Sequence, residues 1–534
     1  MRQTNKIRKG IAWLLCTVLV LGILPMLPQM SMQISAAENA ASVFVDGVEL
    51  HAGGKEYFKN GDTADSGATG TYEDHSAYYD TAGELWLNNL EAHTIKANGN
   101  LTIYVCNNQA TNMNIVTATQ NETAIEVTGY LTIRYGGYGG GTGSLTVESD
   151  GKEAIQAGSG MTVSDGVEVK ARAKSGATAI SSGGVLKIDG IRTKLEAAGD
   201  GSTGKGIFAQ QSIYVKNSAV LTAFGGAAAY ESPSGIDKSG YGYEDYNVFT
   251  GDAAPGTQAA KDTVLDGYKY IRIEPTGVAN VKTLTELQAA AQNQYISLIN
   301  VMNDITITDT VYVRRAVTIQ SPDASNVSKL IRGKSHTDVI LDFDGANGHK
   351  SDVVTLKNII VDGNKDGNTQ TASPALKSKS ILVNLESGTV IENNHAKEGA
   401  AIYVNHYSTV TMKEGSEIRN NVSESDGTVY VIGNGGYFEM AGGTISGNTV
   451  AGNGGGIYEF GGGSARMTGG TISGNTAKGN GGGVYNVERL YGGTITGNST
   501  SGNGGGVFVP VSGACLLNSD INISGNYKDG IWST

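Results

Sequence analysis

Between Ala92 and Phe224 short runs of alternating apolar and polar residues return at nearly fixed intervals. Ile95, Ile125, Ile155, Ile180 and Ile207 lie in phrases such as "ETAIEV" and "KEAIQA", at separations of 30, 30, 25 and 27. Leu101, Leu131, Met161, Leu186 and Ile213 march at the same separations, and Leu145, Val169, Leu195 and Leu221 form a third set. Alternation with period two predicts strands, and sets in step predict stacked units that cover one another's cores. This segment reads as about five three-sided coils.

The C-terminal third repeats more plainly. "VIENN", "EIRNN", "TISGN", "TISGN", "TITGN" and "NISGN" place Asn394, Asn421, Asn448, Asn475, Asn498 and Asn526 in register, at separations of 27, 27, 27, 23 and 28. A second phrase, "GAAIYV" to "GGGVFV", aligns Ile402, Val429, Ile457, Val484 and Val507. No stretch of helical period or leucine signature occurs in these units, so a parallel β-helix, with coils about 4.8 Å apart, is the expected architecture.

Between the blocks, residues 230–263 are rich in Gly, Ser, Asp and Tyr and read as a long excursion, followed by the strand "YKYIRIEP" ending at Pro275. Thr283 and Glu286 then make a capping-box pattern, which predicts a short helix over 283–292 covering the open end of a second stack. The predicted organisation is a signal peptide at 1–37, an N-terminal cap and strand region at 38–91, a first β-helical domain at 92–275, and a second β-helix at 276–534. The different phrase styles of the two blocks favour separate stacks.

The signal peptide rests on Arg2, Lys6, Arg8 and Lys9 ahead of the apolar run Ile11 to Leu27, with a small-residue site at Ser35-Ala36-Ala37. No second apolar run reaches spanning length, so no transmembrane segment is expected in the mature chain. Glycine is abundant, at 77 residues against 8 prolines, which suits tight turns between short strands and excludes collagen. A net charge of -12 excludes an electrostatic nucleic-acid binder. Only Cys106 and Cys515 follow the apolar run, so packing and hydrogen bonds must supply the stability that a disulfide framework would otherwise give.

On the phrases "GGTISGN" and "GNGGGIY", Gly442 to Gly506, and the helix preceding "DITITDTVYVRRAVTIQS", the sequence resembles secreted right-handed parallel β-helix proteins of the pectin-lyase-like superfamily. It is most similar to bacterial surface proteins with polymorphic-outer-membrane-protein-type repeats. The resemblance covers about half the chain and implies an all-β, three-sided solenoid serving as a surface adhesin or a glycan-active protein. Autotransporter members end in a membrane barrel, which this sequence lacks, as it lacks an LPxTG-like sorting signal.

Candidate chemistry is sparse. The six aligned asparagines are read as a structural ladder, because stacked amides hydrogen-bond along a stack. The glycine tracts contain no aspartate between Glu439 and Tyr491, against a calcium-binding repeat. In "DGNKDGN", Asp362, Asn364 and Asp366 alternate as in the first half of an EF-hand loop, but position twelve is Ser373, so a surface turn competes with calcium. No other cofactor is expected. Asp342 and Asp344 at i, i+2, with His349 nearby, are the candidates for an acid and base pair. Arg314 and Arg315, being adjacent, point to opposite faces if they lie in a strand. Tyr104, Tyr130, Tyr135 and Tyr138 present rings suited either to sugar stacking or to packing between coils. The expected function is a non-enzymatic extracellular or cell-surface adhesin binding glycans or surface proteins. A polysaccharide lyase or glycoside hydrolase is the alternative, and a structural spacer the third reading.

Overall fold

The computed structural model describes residues 39–71, 75–106, 113–119, 121–137, 143–242, 244–345, 351–368, 370–433, 435–511, 513–528 and 530–533. The signal peptide expected at 1–37, Tyr138 and His349 lie outside them. Strands alternate buried and half-buried residues, as in Leu101–Cys106, where Leu101, Ile103 and Val105 point inward. Each strand is too short to bury its apolar face alone, so the chain winds it against the next coil. About 16 turns of parallel β-solenoid result, with a single α-helix among the described residues.

In the first stack one sheet carries Ile95–Ala97, Ile125–Val127, Ile155–Ala157, Ile180–Ser182, Lys205–Ala209 and Ala228–Glu231, all parallel. Ile95, Ile125, Ile155, Ile180 and Ile207 are direct register partners, as the repeat predicts. A second sheet pairs Leu131 with Leu101 and Met161, and a third pairs Val169 with Leu145 and Leu195. The stack runs one coil further than the sequence count, since Ala228–Glu231 completes a sixth strand at the start of the expected excursion. At the other end Ser42–Val45 pairs antiparallel with both Val48–His51 and Ile95–Ala97, which closes the first sheet's edge.

The region read as an excursion is itself sheet. Glu244–Gly251 pairs antiparallel with Thr257–Ala259 and with Tyr270–Val281. The last of these strands continues past Pro275 instead of ending there. Its first part pairs antiparallel with Val220–Gly225, and its last part, Val278 to Val281, pairs parallel with Leu298–Val301. The third sheet therefore runs through both stacks, although their buried apolar residues fall into separate clusters. Residues Ala40–Thr534 form one unit.

Helix α1, Leu284–Gln292, opens the second stack. Glu286 N–H donates to Thr283 Oγ1 at 3.3 Å while Thr283 N–H donates to Glu286 Oε2 at 3.2 Å, a complete capping box. Leu287, Ala290 and Ala291 face the core. At the helix's other end, Arg315 donates to the carbonyls of Ala290 and Ala291 in the last turn, where carbonyls run out of intrahelical donors; that of Ala290 also accepts from Asn293 N–H at 3.3 Å. Among the described residues no helix is long and apolar enough to cross a membrane.

The second stack adds two nine-stranded sheets to the shared one. The fourth sheet runs from Ile305–Ile307 to Ile521–Ser524, and the fifth from Val311–Val313 to Ile531–Ser533. A further, five-stranded sheet runs from His395–Ala396 to Ser499–Thr500, and the aligned asparagines occupy the corner between the fourth sheet and this one. Asn421, Asn448, Asn475 and Asn498 each accept at Oδ1 from the backbone N–H of the preceding asparagine, at 2.9–3.1 Å. Their Nδ2 groups donate to the next Oδ1 and to a carbonyl one coil back, such as Ile418 O from Asn448. Arg332 closes the ladder. Its guanidinium is buried, donates to Asn394 Oδ1 at 3.0 and 3.2 Å and reaches the carbonyls of Ser373 and Pro374. Burial pushes its pKa down to about 10, still charged near neutrality.

Candidate functional site

Alternation along the fifth sheet decides which side chains face outward. Ile402, Val404, Val429 and Ile457 are buried, so Tyr403, Tyr430 and Tyr458 stand on the opposite face. Parallel register places one outward residue per coil in a single column. It reads Tyr312, Asp342, Lys377, Tyr403, Tyr430, Tyr458, Tyr485, Phe508 and Trp532. From Tyr403 to Phe508 the rings follow one another at centroid distances of 5.3, 5.1, 4.9 and 5.1 Å, the first and last pairs stacked and the two middle pairs tilted by 33° and 31°. Their faces are thus used against one another, and only ring edges and hydroxyls remain to meet a ligand. Among the described residues none of the four tyrosine hydroxyls has a protein partner, and none is buried without one; the hydroxyls thus keep contact with solvent, although Tyr430 and Tyr458 are only 6% and 7% exposed and Tyr403 and Tyr485 half-buried.

The glycine turns form one wall of this column. Gly427 and Gly454 adopt φ of +61° and +69°, and a Cβ on either would stand 2.8 Å from the Cβ of Tyr458. Any other residue would both strain the turn and push the ring away. A second polar row runs through these turns, with Asn453 N–H donating to Asp426 Oδ1, Asn480 N–H to Asn453 Oδ1, and Asn503 N–H to Asn480 Oδ1, at 2.6, 2.8 and 2.9 Å. Burial, aided by the carboxylates of Glu398 and Asp426, pushes the Tyr430 phenol up to about 12. The hydroxyls are therefore donors across the physiological range.

At its start the column is charged. Asp342 and Asp344 both face outward, with Phe343 buried between them. Burial raises the Asp342 carboxyl above its ordinary range, and Lys377 opposes the shift. Lys379 Nζ lies 3.7 Å from Asp344, and the Arg314 guanidinium sits 5.3 Å over the Tyr312 ring. The two arginines do part company, Arg314 on this face and Arg315 on the helix. Asp342 and Asp344 thus have the half-buried carboxyl and basic neighbours that acid and base chemistry uses, without a third carboxylate beside them in the column.

The calcium candidates are engaged locally. Asp362 Oδ1 accepts from Asn364 N–H at 2.8 Å, and Lys329 Nζ stands 3.5 Å from Asp362 Oδ2. Asn364 Nδ2 donates to Arg332 O at 2.9 Å, while Asp366 is exposed. Among the described residues no group of three or more His, Cys, Asp or Glu is placed to hold a metal ion. In the first stack Tyr104 stacks on Trp86 at 4.2 Å and lies under Arg134, and Tyr130 hydrogen-bonds Thr162 at 2.6 Å. Those rings are occupied in packing between coils.

The sequence contained the signal for the aromatic column, one residue after each aligned Ile or Val in "GAAIYV", "GTVYV", "GGGIYE", "GGGVYN" and "GGGVFV". Weighing only the apolar partner of each pair left the outward one unread.

Among curated proteins and among solved structures nothing matches this chain. Residues 278–396 match the family model of a pectate lyase-like adhesive domain, a span that includes α1, Asp342, Asp344 and the first ladder asparagine. Coils and match together are consistent with a pectin-lyase-like β-helix protein, and the matched segment fits an adhesin-like β-helix.

Proposed function

We propose that this protein is an extracellular or cell-surface adhesin that holds an extended glycan along the aromatic column of the fifth sheet and does not cleave it. One observation carries the reading: four phenol hydroxyls, free of protein partners, repeat at the coil spacing on a rigid face. Hydrogen bonds formed one at a time with water-competed hydroxyls contribute about 1 kcal/mol or less. A rigid row makes several at once without ordering its own side chains first, which is how weak contacts sum to retention.

The spacing favours a sugar polymer over a peptide. A β-strand laid along the column presents same-side groups about 6.6 Å apart, out of step with the rings. One pyranose per coil in an extended β-linked chain stays close to step. The adhesive family match supports binding in general and leaves the ligand to this geometry.

The test incubates the full chain with insoluble acidic and neutral polysaccharides, following retention together with new reducing ends or unsaturated products. Retention without products is expected. Replacing Tyr430, Tyr458 and Tyr485 together by Phe keeps the stack and removes the hydroxyls, and is expected to lower retention at least tenfold. Products that vanish in Asp342→Asn would instead establish the lyase or hydrolase reading.

A further inference from the structure

The aromatic stack stops at Tyr403. Its ring packs on Tyr430 on one side, but the preceding position in the column is Lys377, which supplies no ring. On that side lies a cavity of about 320 Å³ whose lining includes Tyr403, Pro374, Lys377, Lys397, Glu398 and Asn405. None of its lining residues comes from the coil of Tyr430, so it sits where one more ring would continue the column. Such a volume falls at the lower end of small-ligand sites, enough for one sugar-sized ring.

Polar groups around the cavity are of both kinds. Lys377 and Lys397 bring ammonium donors, Glu398 a carboxylate acceptor, and Asn405 an amide; among the described residues the charged ends of Lys377, Lys397 and Glu398 make no salt bridge or side-chain hydrogen bond. Asn405 Oδ1 accepts from His406 N–H at 2.8 Å, which fixes its amide. Glu398 is close enough to Tyr403 to help burial raise its phenol. A flat anion or a bare cation would leave half of this set unmatched, whereas a polyhydroxylated ring both donates and accepts around its edge. Its axial C–H face suits the uncovered face of Tyr403, and Pro374 gives an apolar wall.

We infer that this cavity is a subsite for a single uncharged pyranose, the terminal or a branch unit of the glycan that the column holds. The inference rests on the proposed glycan reading for its biological ligand, but the cavity is testable by itself. Methyl pyranosides of glucose, galactose, mannose and N-acetylglucosamine are mixed with the full chain at millimolar concentration, and saturation transfer to their ring protons is recorded by NMR. Transfer to at least one pyranoside is expected, falling at least fivefold in the double variant Lys377→Met with Glu398→Gln and staying unchanged in Lys152→Met, an exposed residue of the first stack. Neither replaced side chain makes a salt bridge or side-chain hydrogen bond among the described residues, and an unaltered circular dichroism spectrum confirms that the variant is folded. Absence of transfer from all four sugars, equal transfer in the double variant, or preferential transfer to p-cresol in place of the sugars overturns the inference. If polysaccharide is retained while no pyranoside binds, the subsite fails and the adhesin reading survives. If pyranosides bind but no polymer is retained, the column reading fails and the subsite stands.

Discussion

Replacing Asn448 by Ala should destabilise the second stack far more than the same change at Asn526. Asn448 Oδ1 accepts from the N–H and Nδ2 of Asn421 at 2.9 and 3.0 Å, and its Nδ2 donates to Asn475 Oδ1 and Ile418 O at 2.9 and 3.2 Å. Asn421 Nδ2 keeps the carbonyls of Ile391 and Arg419, and Asn475 Oδ1 keeps Asn448 N–H, so these groups lose only part of their bonding. The Asn421 N–H has no substitute, and stranding a buried amide costs about 1–3 kcal/mol. With roughly 1 kcal/mol for each of the three further lost bonds, the expected cost is about 4–6 kcal/mol. Asn526 has a ladder neighbour on one side only and is half-buried, so Asn526→Ala should cost about 1–2 kcal/mol as water reaches the freed groups. Hydrogen exchange at the Asn421 amide reads the loss locally and urea unfolding reads it globally. An Asn421 amide as protected in Asn448→Ala as in the wild type, or equal costs at the two positions, would refute the reasoning.

Three further outcomes follow from features outside the ladder. Glu459 sits where the two preceding coils have Val404 and Val431, and burial lifts its carboxyl to about 7 even though Ala465 N–H donates to it at 2.8 Å. A raised acid favours the protonated fold, so stability should fall as pH rises from about 4.5 to 7; Glu459→Gln should flatten that slope and add about 3 kcal/mol at pH 8, and urea midpoints at pH 5 and 8 that shift alike in both proteins would contradict it. Gly454→Ala puts a Cβ 2.6 Å from Ile457 O at φ +69° and should cost about 1–3 kcal/mol by urea unfolding. Thr283→Ala removes the cap of α1 and should cost about 1 kcal/mol, read as faster hydrogen exchange of the Glu286 amide.

The registers were legible because a parallel coil converts sequence period directly into contact. Ile402, Val429, Ile457, Val484 and Val507 align in the sequence and pair in the fifth sheet. Thr283 and Glu286 announced α1 because a capping box is local chemistry. What escaped was non-local. The strands at Glu244–Gly251 and Thr257–Ala259 have no repeat partner, since they pair antiparallel with a strand beyond them, and Tyr270–Val281 passes a proline that usually ends a strand. The coils from Ile305 to Val390 lack the glycine phrases and gave no period. For the site, the outward tyrosines were printed in every repeat, but a column of rings exists only once register is known. The cavity beside Tyr403 was beyond reach of sequence, because Pro374, Lys377 and Glu398 come together across coils.

The asparagine corner also bears on how the molecule yields when pulled. Each interior amide is tied to the coil on either side, whereas Asn526 grips only the one before it. Tension applied through the C-terminus meets the weakest grip first and peels the solenoid coil by coil, in place of breaking it at the middle. Each released unit of 27 residues pays out roughly 90 Å of chain at full extension. Peeling would take Phe508 and Tyr485 out of the column before Tyr403 and Tyr430, so a polymer held as proposed would be let go one coil at a time, and the repetition that builds the binding face would also grade its release.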